Sequence, residues 1–254
     1  YTYTIKLNPN NADRYFERGM FYYYQYDNNE EAIKDYNKAI ELNPNKENYF
    51  IELANLYVYL KKNEEALKYF EGALKLNEKN PLIYFYRATL YENLKDYNKA
   101  ISEYNKAIEL DQKNAGFYYY RASLYEILEK YDNAILDYKK AIELDPKDED
   151  YPFELAVLYQ NETEDYDKAI FYYNKVIDLN PNKPATYGNL ALLYRFNIKD
   201  YDKALEYFSK SIEIGPDYDF SYSRRGSLYQ YLEDYDRAKE DYSSAIKLDP
   251  YNAE

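Results

Sequence analysis

One phrase keeps returning along this chain: DYNKAIELNPN beginning at Asp35, EYNKAIELDQK at Glu103, DYKKAIELDPK at Asp137, YYNKVIDLNPN at Tyr172 and DYSSAIKLDPY at Asp241. Pro9, Pro44, Pro146, Pro181, Pro216 and Pro250 mark the end of each copy, with Glu78 and Gln112 in the two remaining slots. Successive marks stand 35, 34, 34, 34, 35, 35 and 34 residues apart. Seven complete units follow, at 12–46, 47–80, 81–114, 115–148, 149–183, 184–218 and 219–252; residues 1–11 match the end of a preceding repeat and 253–254 the start of a further one. Units this short cannot bury an apolar face alone, so the period demands a stack in which each unit covers its neighbour.

Each unit reads as two helices. The first half carries an aromatic, a small residue four positions on and a Tyr three further: Tyr15, Gly19, Tyr22; Phe50, Ala54, Tyr57; Tyr84, Ala88, Tyr91; Tyr118, Ala122, Tyr125; Tyr187, Ala191, Tyr194; Tyr222, Gly226, Tyr229. Unit five opens differently, with Pro152 ahead of Ala156 and Tyr159. Those spacings form one helical stripe. The second half repeats Ala, aromatic, Ala at i, i+4 and i+7, as in Ala100, Tyr104, Ala107. Small residues let the two helices approach and the rings fill the space beside them. Asp96 and Asn98 in the intervening turn suit a helix N-cap, and Pro81 and Pro184 stand where a first helix begins.

Composition removes most catalytic classes. The chain has no His and no Cys, hence no His-based nucleophile system and no ordinary zinc or redox-metal ligand set. Its 6 glycines are scattered, so no phosphate loop or dinucleotide fingerprint exists. No catalytic residue, metal site or cofactor is expected. A net charge of -13 without a basic run argues against nucleic acid. No apolar stretch approaches the roughly 20 residues that span a bilayer, so no membrane insertion is expected. The acid cluster Asp145, Asp148, Glu149, Asp150 lacks the alternation and Gly of a calcium loop and reads as a solvated turn.

The 34-residue pattern resembles the tetratricopeptide repeat (TPR) family over almost the whole chain: small residue, Tyr, Ala, aromatic, small residue and terminal Pro fall at the family's spacing. Departures are few. Tyr or Phe stands for the family's frequent Trp, and units one, five and six hold one extra residue between helices, which should lengthen a turn without breaking the stack. The resemblance implies an all-α, right-handed superhelical α-solenoid of stacked helix-turn-helix repeats, with first helices lining a concave groove. The partial repeats at both ends read as a segment of a longer protein.

Comparing the copies exposes a pairing. Arg precedes the small residue in four units (Arg18, Arg87, Arg121, Arg225), and there the residue before the second-helix aromatic is acidic (Asp35, Glu103, Asp137, Asp241). In the other three units the same slots hold Leu53, Leu155, Leu190 and Tyr69, Tyr172, Tyr207. Contact across the helix pair would produce this split, since a buried Arg needs a carboxylate; recent duplication of units would produce it too.

The resemblance also assigns groove slots. They fall on Phe16, Glu17 and Met20; Ile51, Glu52 and Asn55; Phe85, Tyr86 and Thr89; Tyr119, Tyr120 and Ser123; Phe153, Glu154 and Val157; and Asn189 and Leu192. A further slot per unit holds Tyr23, Val58, Glu92, Glu126, Gln160, Arg195 and Gln230, and unit seven adds Ser223, Arg224 and Ser227. Aromatic or Ile anchors and acids occupy units one to five, while the bases Arg195 and Arg224 come late. The expected partner is a protein or peptide with apolar anchors and basic residues. In a chain with 39 Tyr, the aromatic slots are equally open to a compositional origin. The Lys slots in which relatives grip a C-terminal carboxylate hold Phe16, Ile51, Phe85 and Tyr119, and the asparagine-ladder slot holds a single asparagine, Asn189, so neither device is expected. The leading expectation is a non-catalytic scaffold or adaptor. The alternatives are a self-associating solenoid stacking end to end, and a substrate-recruiting arm of an enzyme whose catalytic domain lies elsewhere.

Overall fold

A computed structural model describes residues 2–250; the expected start of a further repeat at 253–254 lies outside the described residues. Among these, fifteen α-helices and no strand occur. They are α1 (Thr2–Leu7), α2 (Ala12–Tyr26), α3 (Asn29–Leu42), α4 (Glu47–Tyr59), α5 (Asn63–Leu76), α6 (Pro81–Asn93), α7 (Tyr97–Leu110) and α8 (Ala115–Ile127). The rest are α9 (Tyr131–Leu144), α10 (Asp150–Asn161), α11 (Tyr166–Leu179), α12 (Pro184–Leu192), α13 (Tyr201–Ile214), α14 (Asp219–Tyr231) and α15 (Tyr235–Leu248), with a π-helical turn at Leu193–Ile198. The chain forms two compact units that meet between Phe117 and Tyr118. In the first, hairpins α2–α3, α4–α5 and α6–α7 stack in chain order; in the second, α9 packs on α10, and hairpins α10–α11, α12–α13 and α14–α15 follow.

Local chemistry sets the helix ends. Pro81 and Pro184 open α6 and α12. The side chains of Asn28, Asp96, Asp165, Asp200 and Asp234 accept from the amide three residues on, satisfying a donor that the helix leaves unpaired. Lys62 and Lys130 hold the same backbone position without a side-chain cap. Every first helix ends on one residue of left-handed backbone, Asp27, Lys61, Lys95, Glu129, Glu164, Lys199 or Glu233, at φ between 48° and 64°.

The carbonyl of the stripe's last Tyr closes that end in all seven units. Lys62, Asp96, Lys130 and Asp234 donate to the carbonyls of Tyr57, Tyr91, Tyr125 and Tyr229, five residues back, at 2.8 to 2.9 Å. In the three units with an extra residue the donor is six back: Asn28 to Tyr22, Asp165 to Tyr159 and Asp200 to Tyr194, at 2.9 to 3.0 Å. The insertion is therefore absorbed inside the last helical turn, in unit six as the π-turn, because widening one hydrogen-bonded ring preserves both flanking stripes.

Packing follows the small-large alternation. Ala32, Ala66, Ala100, Ala134, Ala169 and Ala204 are fully buried, and the rings four residues on (Tyr36, Phe70, Tyr104, Tyr138, Tyr173, Phe208) are at most 1% exposed. The fit is tight: a Cβ on Gly19 would sit 2.8 Å from Cδ1 of Tyr36.

The Arg–acid correlation is a contact. Arg18–Asp35, Arg121–Asp137 and Arg225–Asp241 are forked pairs with both bonds between 2.6 and 2.8 Å. Each Arg also lies over one or two stripe tyrosines, Arg121 at 5.7 Å from the ring centre of Tyr118 and 5.8 Å from that of Tyr125. Where Leu replaces Arg, the partner Tyr stacks on the last stripe Tyr instead: Tyr57–Tyr69, Tyr159–Tyr172 and Tyr194–Tyr207, with interplanar angles of 15°, 10° and 5°. Arg87–Glu103 is the poorest pair, at 3.2 Å, and leaves Arg87 Nε and Glu103 Oε2 buried without partners. The extra methylene of Glu spoils the fork.

Two outcomes test these contacts. Lys130→Asp should stabilise the chain by roughly 0.5–2 kcal/mol through a new N-cap, read as a higher urea midpoint. Asp137→Tyr should cost about 3–5 kcal/mol by removing the carboxylate forked onto half-buried Arg121. Adding Arg121→Leu, the pair found in the other units, should recover most of that loss in a double-mutant cycle.

Candidate functional site

The ring that seals each hairpin also reaches the inner edge of the first helix. Tyr104 Oη donates to Glu92 at 3.0 Å, Tyr138 to Glu126 at 3.1 Å, Tyr173 to Gln160 at 2.9 Å and Tyr242 to Gln230 at 2.8 Å. Where the ring is Phe70 or Phe208 the facing slot holds Val58 or Arg195. Unit one is the exception: it pairs Tyr36 with Tyr23, and the Tyr36 hydroxyl is buried without a partner. Reading the repeats pairwise for Tyr-with-Glu/Gln against Phe-without would have exposed this link. The expectation that these slots face a ligand treated them one at a time.

In the first compact unit, Phe16 is half-buried against Tyr36 and Tyr49, with ring centres 5.6 and 4.7 Å away. Met20 packs on the same core. Glu17 pairs with Arg14 at 2.7 Å. Ile51, expected as a groove anchor, is 5% exposed and packs with Phe70 and with Ile83 of the next hairpin; that neighbour covers it and makes it core. Glu52 accepts from Tyr24 Oη at 3.2 Å, and burial pushes its carboxyl above the usual range. Asn55 is half-buried. Phe85 stacks on Phe117 at 5.3 Å and touches Tyr86 at 5.4 Å. Thr89 bonds back to the carbonyl of Tyr86 at 2.8 Å. The anchors here are thus half core and half surface.

In the second unit, the structure brings three expected residues together. Tyr119, Ser123 and Glu154 line one open cleft of ≈ 410 Å³ with Glu126, Ile127 and Tyr138. Tyr119 packs on Tyr138 and Tyr151, at 5.9 and 5.1 Å, and its hydroxyl is pushed up to about 12, first by burial and then by Glu154 and Asp150. Tyr120 is 44% exposed. Phe153 meets Tyr173 edge-on at 6.0 Å, while Val157 and Leu192 lean on the core. Asn189 is half-buried. Arg195, read as one of two groove bases, spends its donors on the carbonyls of Arg224 and Ser227 and on Ser227 Oγ, at 3.1, 3.3 and 3.0 Å. It braces the next helix instead.

The cleft is electrostatically unbalanced. Burial raises the carboxyls of both Glu126 and Glu154; Glu126 adds to the shift at Glu154, while Tyr138 partly offsets the shift at Glu126. Among the described residues no group of three or more acids has metal-ligating geometry, and no helix is long and apolar enough to cross a membrane.

Models of the tetratricopeptide repeat match residues 12–46, 51–115, 115–148, 153–183, 172–206 and 220–252. The chain belongs to the TPR family. No curated protein matches. Among solved structures, the C-terminal part of a TPR repeat-containing protein from Cytophaga hutchinsonii superposes with a TM-score of 0.76 at 23% identity, covering 93% of this chain and 96% of that one. The chain is also similar to YrrB, described as a TPR protein with an unusual peptide-binding site, with a TM-score of 0.57, 26% identity and coverage of 73% and 95%. Yeast Tom70 aligns at 24% identity with a TM-score of 0.63, over 97% of this chain and 53% of its own. The architecture is that of a general protein-binding scaffold.

An upward shift means the folded chain holds those protons more tightly than the unfolded one, so stability falls as pH rises beyond the ordinary glutamate value. Glu154→Gln should therefore raise the melting temperature at pH 8, and the two proteins should converge near pH 4. Thermal melts across that range check both ends.

Proposed function

We propose that the chain is a non-catalytic adaptor whose array at 12–252 binds an extended or helical peptide segment along the inner faces of its first helices. The observation that carries this reading is the cleft of Tyr119, Ser123, Glu126 and Glu154. Half-buried carboxylates with raised pKa values destabilise a fold, and such groups cluster where a ligand compensates them. The half-exposed rings beside them offer anchors that lose little conformational freedom on binding. The peptide-binding site named for YrrB lends support by similarity. Within the first compact unit, apolar ligand residues meet Phe85 and Tyr86 and basic ones meet Glu17 and Glu52, with Phe16, Met20, Asn55 and Thr89 beside them and Ile51 as floor; within the second, Tyr119, Tyr120 and Phe153 take apolar residues and Glu154 a basic one, with Val157, Asn189 and Leu192 completing that surface.

Substitution on opposite faces tests this reading. Tyr120→Ser should weaken peptide binding by about tenfold or more, as removal of an aromatic anchor does. Leu136→Ser and Phe171→Ser lie on second helices at 67% and 62% exposure and should leave binding unchanged. Fluorescence anisotropy with a peptide selected on the chain reads both; the reverse ranking would move the binding face to the second helices.

A further inference from the structure

The cleft between α8 and α10 deepens the adaptor reading, on which it rests, by specifying one chemical group of the ligand. Elsewhere in this protein a buried acid is matched by an arginine, as Asp35, Asp137 and Asp241 are by Arg18, Arg121 and Arg225; the half-buried glutamates of this cleft are not. The exposed pairs Lys140–Glu143 and Lys210–Glu213 close at 2.7 and 3.0 Å on second-helix surfaces. In the cleft, Glu126 spends one oxygen on Tyr138. Glu154 accepts no hydrogen bond from a described residue, and neither carboxylate has a salt bridge among the described residues. Lys183, whose charge offsets part of the rise at Glu154, is committed to Glu149 at 2.9 Å and Asp150 at 3.2 Å, and lies over Phe153 at 5.0 Å. A desolvated carboxylate without a salt bridge is unfavourable until a cation arrives.

Three features narrow the occupant. Two carboxylates and the Ser123 hydroxyl present acceptors to one space of ≈ 410 Å³, and Tyr119 and Tyr138 supply aromatic walls. A planar cation with several donors in a fixed fork satisfies such a set better than a point charge, and its flat face suits the rings. Toward the C-terminus the negative charge ends: the corresponding slots one unit on hold neutral Gln160 and Asn189, and the next hold Arg195 and Arg224. We propose that this cleft is a specificity pocket for an arginine side chain of the peptide ligand.

The test is selection of a random dodecapeptide phage library on the full chain, followed by affinity measurements on parent and Glu126→Gln/Glu154→Gln proteins. Circular dichroism first verifies that the double variant is folded, which removal of two desolvated charges favours. Support requires that enriched peptides share an arginine at one register. Replacing that arginine with citrulline must then weaken binding to the parent by roughly tenfold or more while changing little for the double variant. Peptides that bind, lose affinity with Tyr120→Ser, and ignore both citrulline and the Gln substitutions would overturn the pocket and leave the groove reading intact. Failure to enrich any peptide would overturn both.

Discussion

Each hairpin of this protein depends on one aromatic side chain, and the same side chain connects the core to the inner surface. Tyr36, Phe70, Tyr104, Tyr138, Tyr173 and Phe208 are buried between two helices held close by alanines or glycine. Van der Waals contact is the first reason for the ring, since close packing at a small-large interface leaves no space for a poorer fit. The hydroxyl is the second. In Tyr104, Tyr138 and Tyr173 it extends past the core to a glutamate or glutamine on the first helix, so the rotamer of a surface side chain is set by a buried residue. Without the ring neither the hairpin nor the cleft would have its shape.

Around that constant element the protein uses two interchangeable solutions to one packing problem. A slot between the helices accepts either an arginine forked onto an aspartate and lying over tyrosines, or a leucine beneath two stacked tyrosines. Both fill similar volume and leave no charge stranded, which is why either can serve while mixtures are absent from all seven units. The Arg87–Glu103 pair shows the tolerance of the scheme: one added methylene still permits an ion pair but loses the second bond.

The distribution of charge follows a different logic. A net charge of -13 is carried mostly by solvated acids, many of them paired along helix surfaces where such pairs contribute little. Of the inner-face acids, Glu52, Glu126 and Glu154 are drier and lack a salt bridge among the described residues. Stability alone would replace them with glutamine, as unit five does at Gln160 and unit seven at Gln230. In the proposed reading, their presence in the cleft sets binding against stability, a balance that recurs at functional sites.

Much of this was legible in the sequence because a repeated unit must satisfy the same local rules seven times over. The period, the stripe from aromatic to Tyr, the alanine-flanked ring, the helix-opening prolines and the Arg–acid split all depend on residue spacing along one or two helices, and spacing is what a sequence records. Three things depended on tertiary structure. Ile51 and Phe16 occupy the same slot, yet one is core and the other half-exposed, because depth depends on the neighbouring hairpin. Arg195 faces the slot that resemblance assigned, but the carbonyls of α14 capture its donors. Glu126 and Glu154 lie 28 residues apart in the chain and come to share one cleft only because adjacent first helices stack. Sequence determined which surfaces each helix would offer; the stacking of hairpins decided which charges meet there without a partner, since desolvation depends on every neighbour at once.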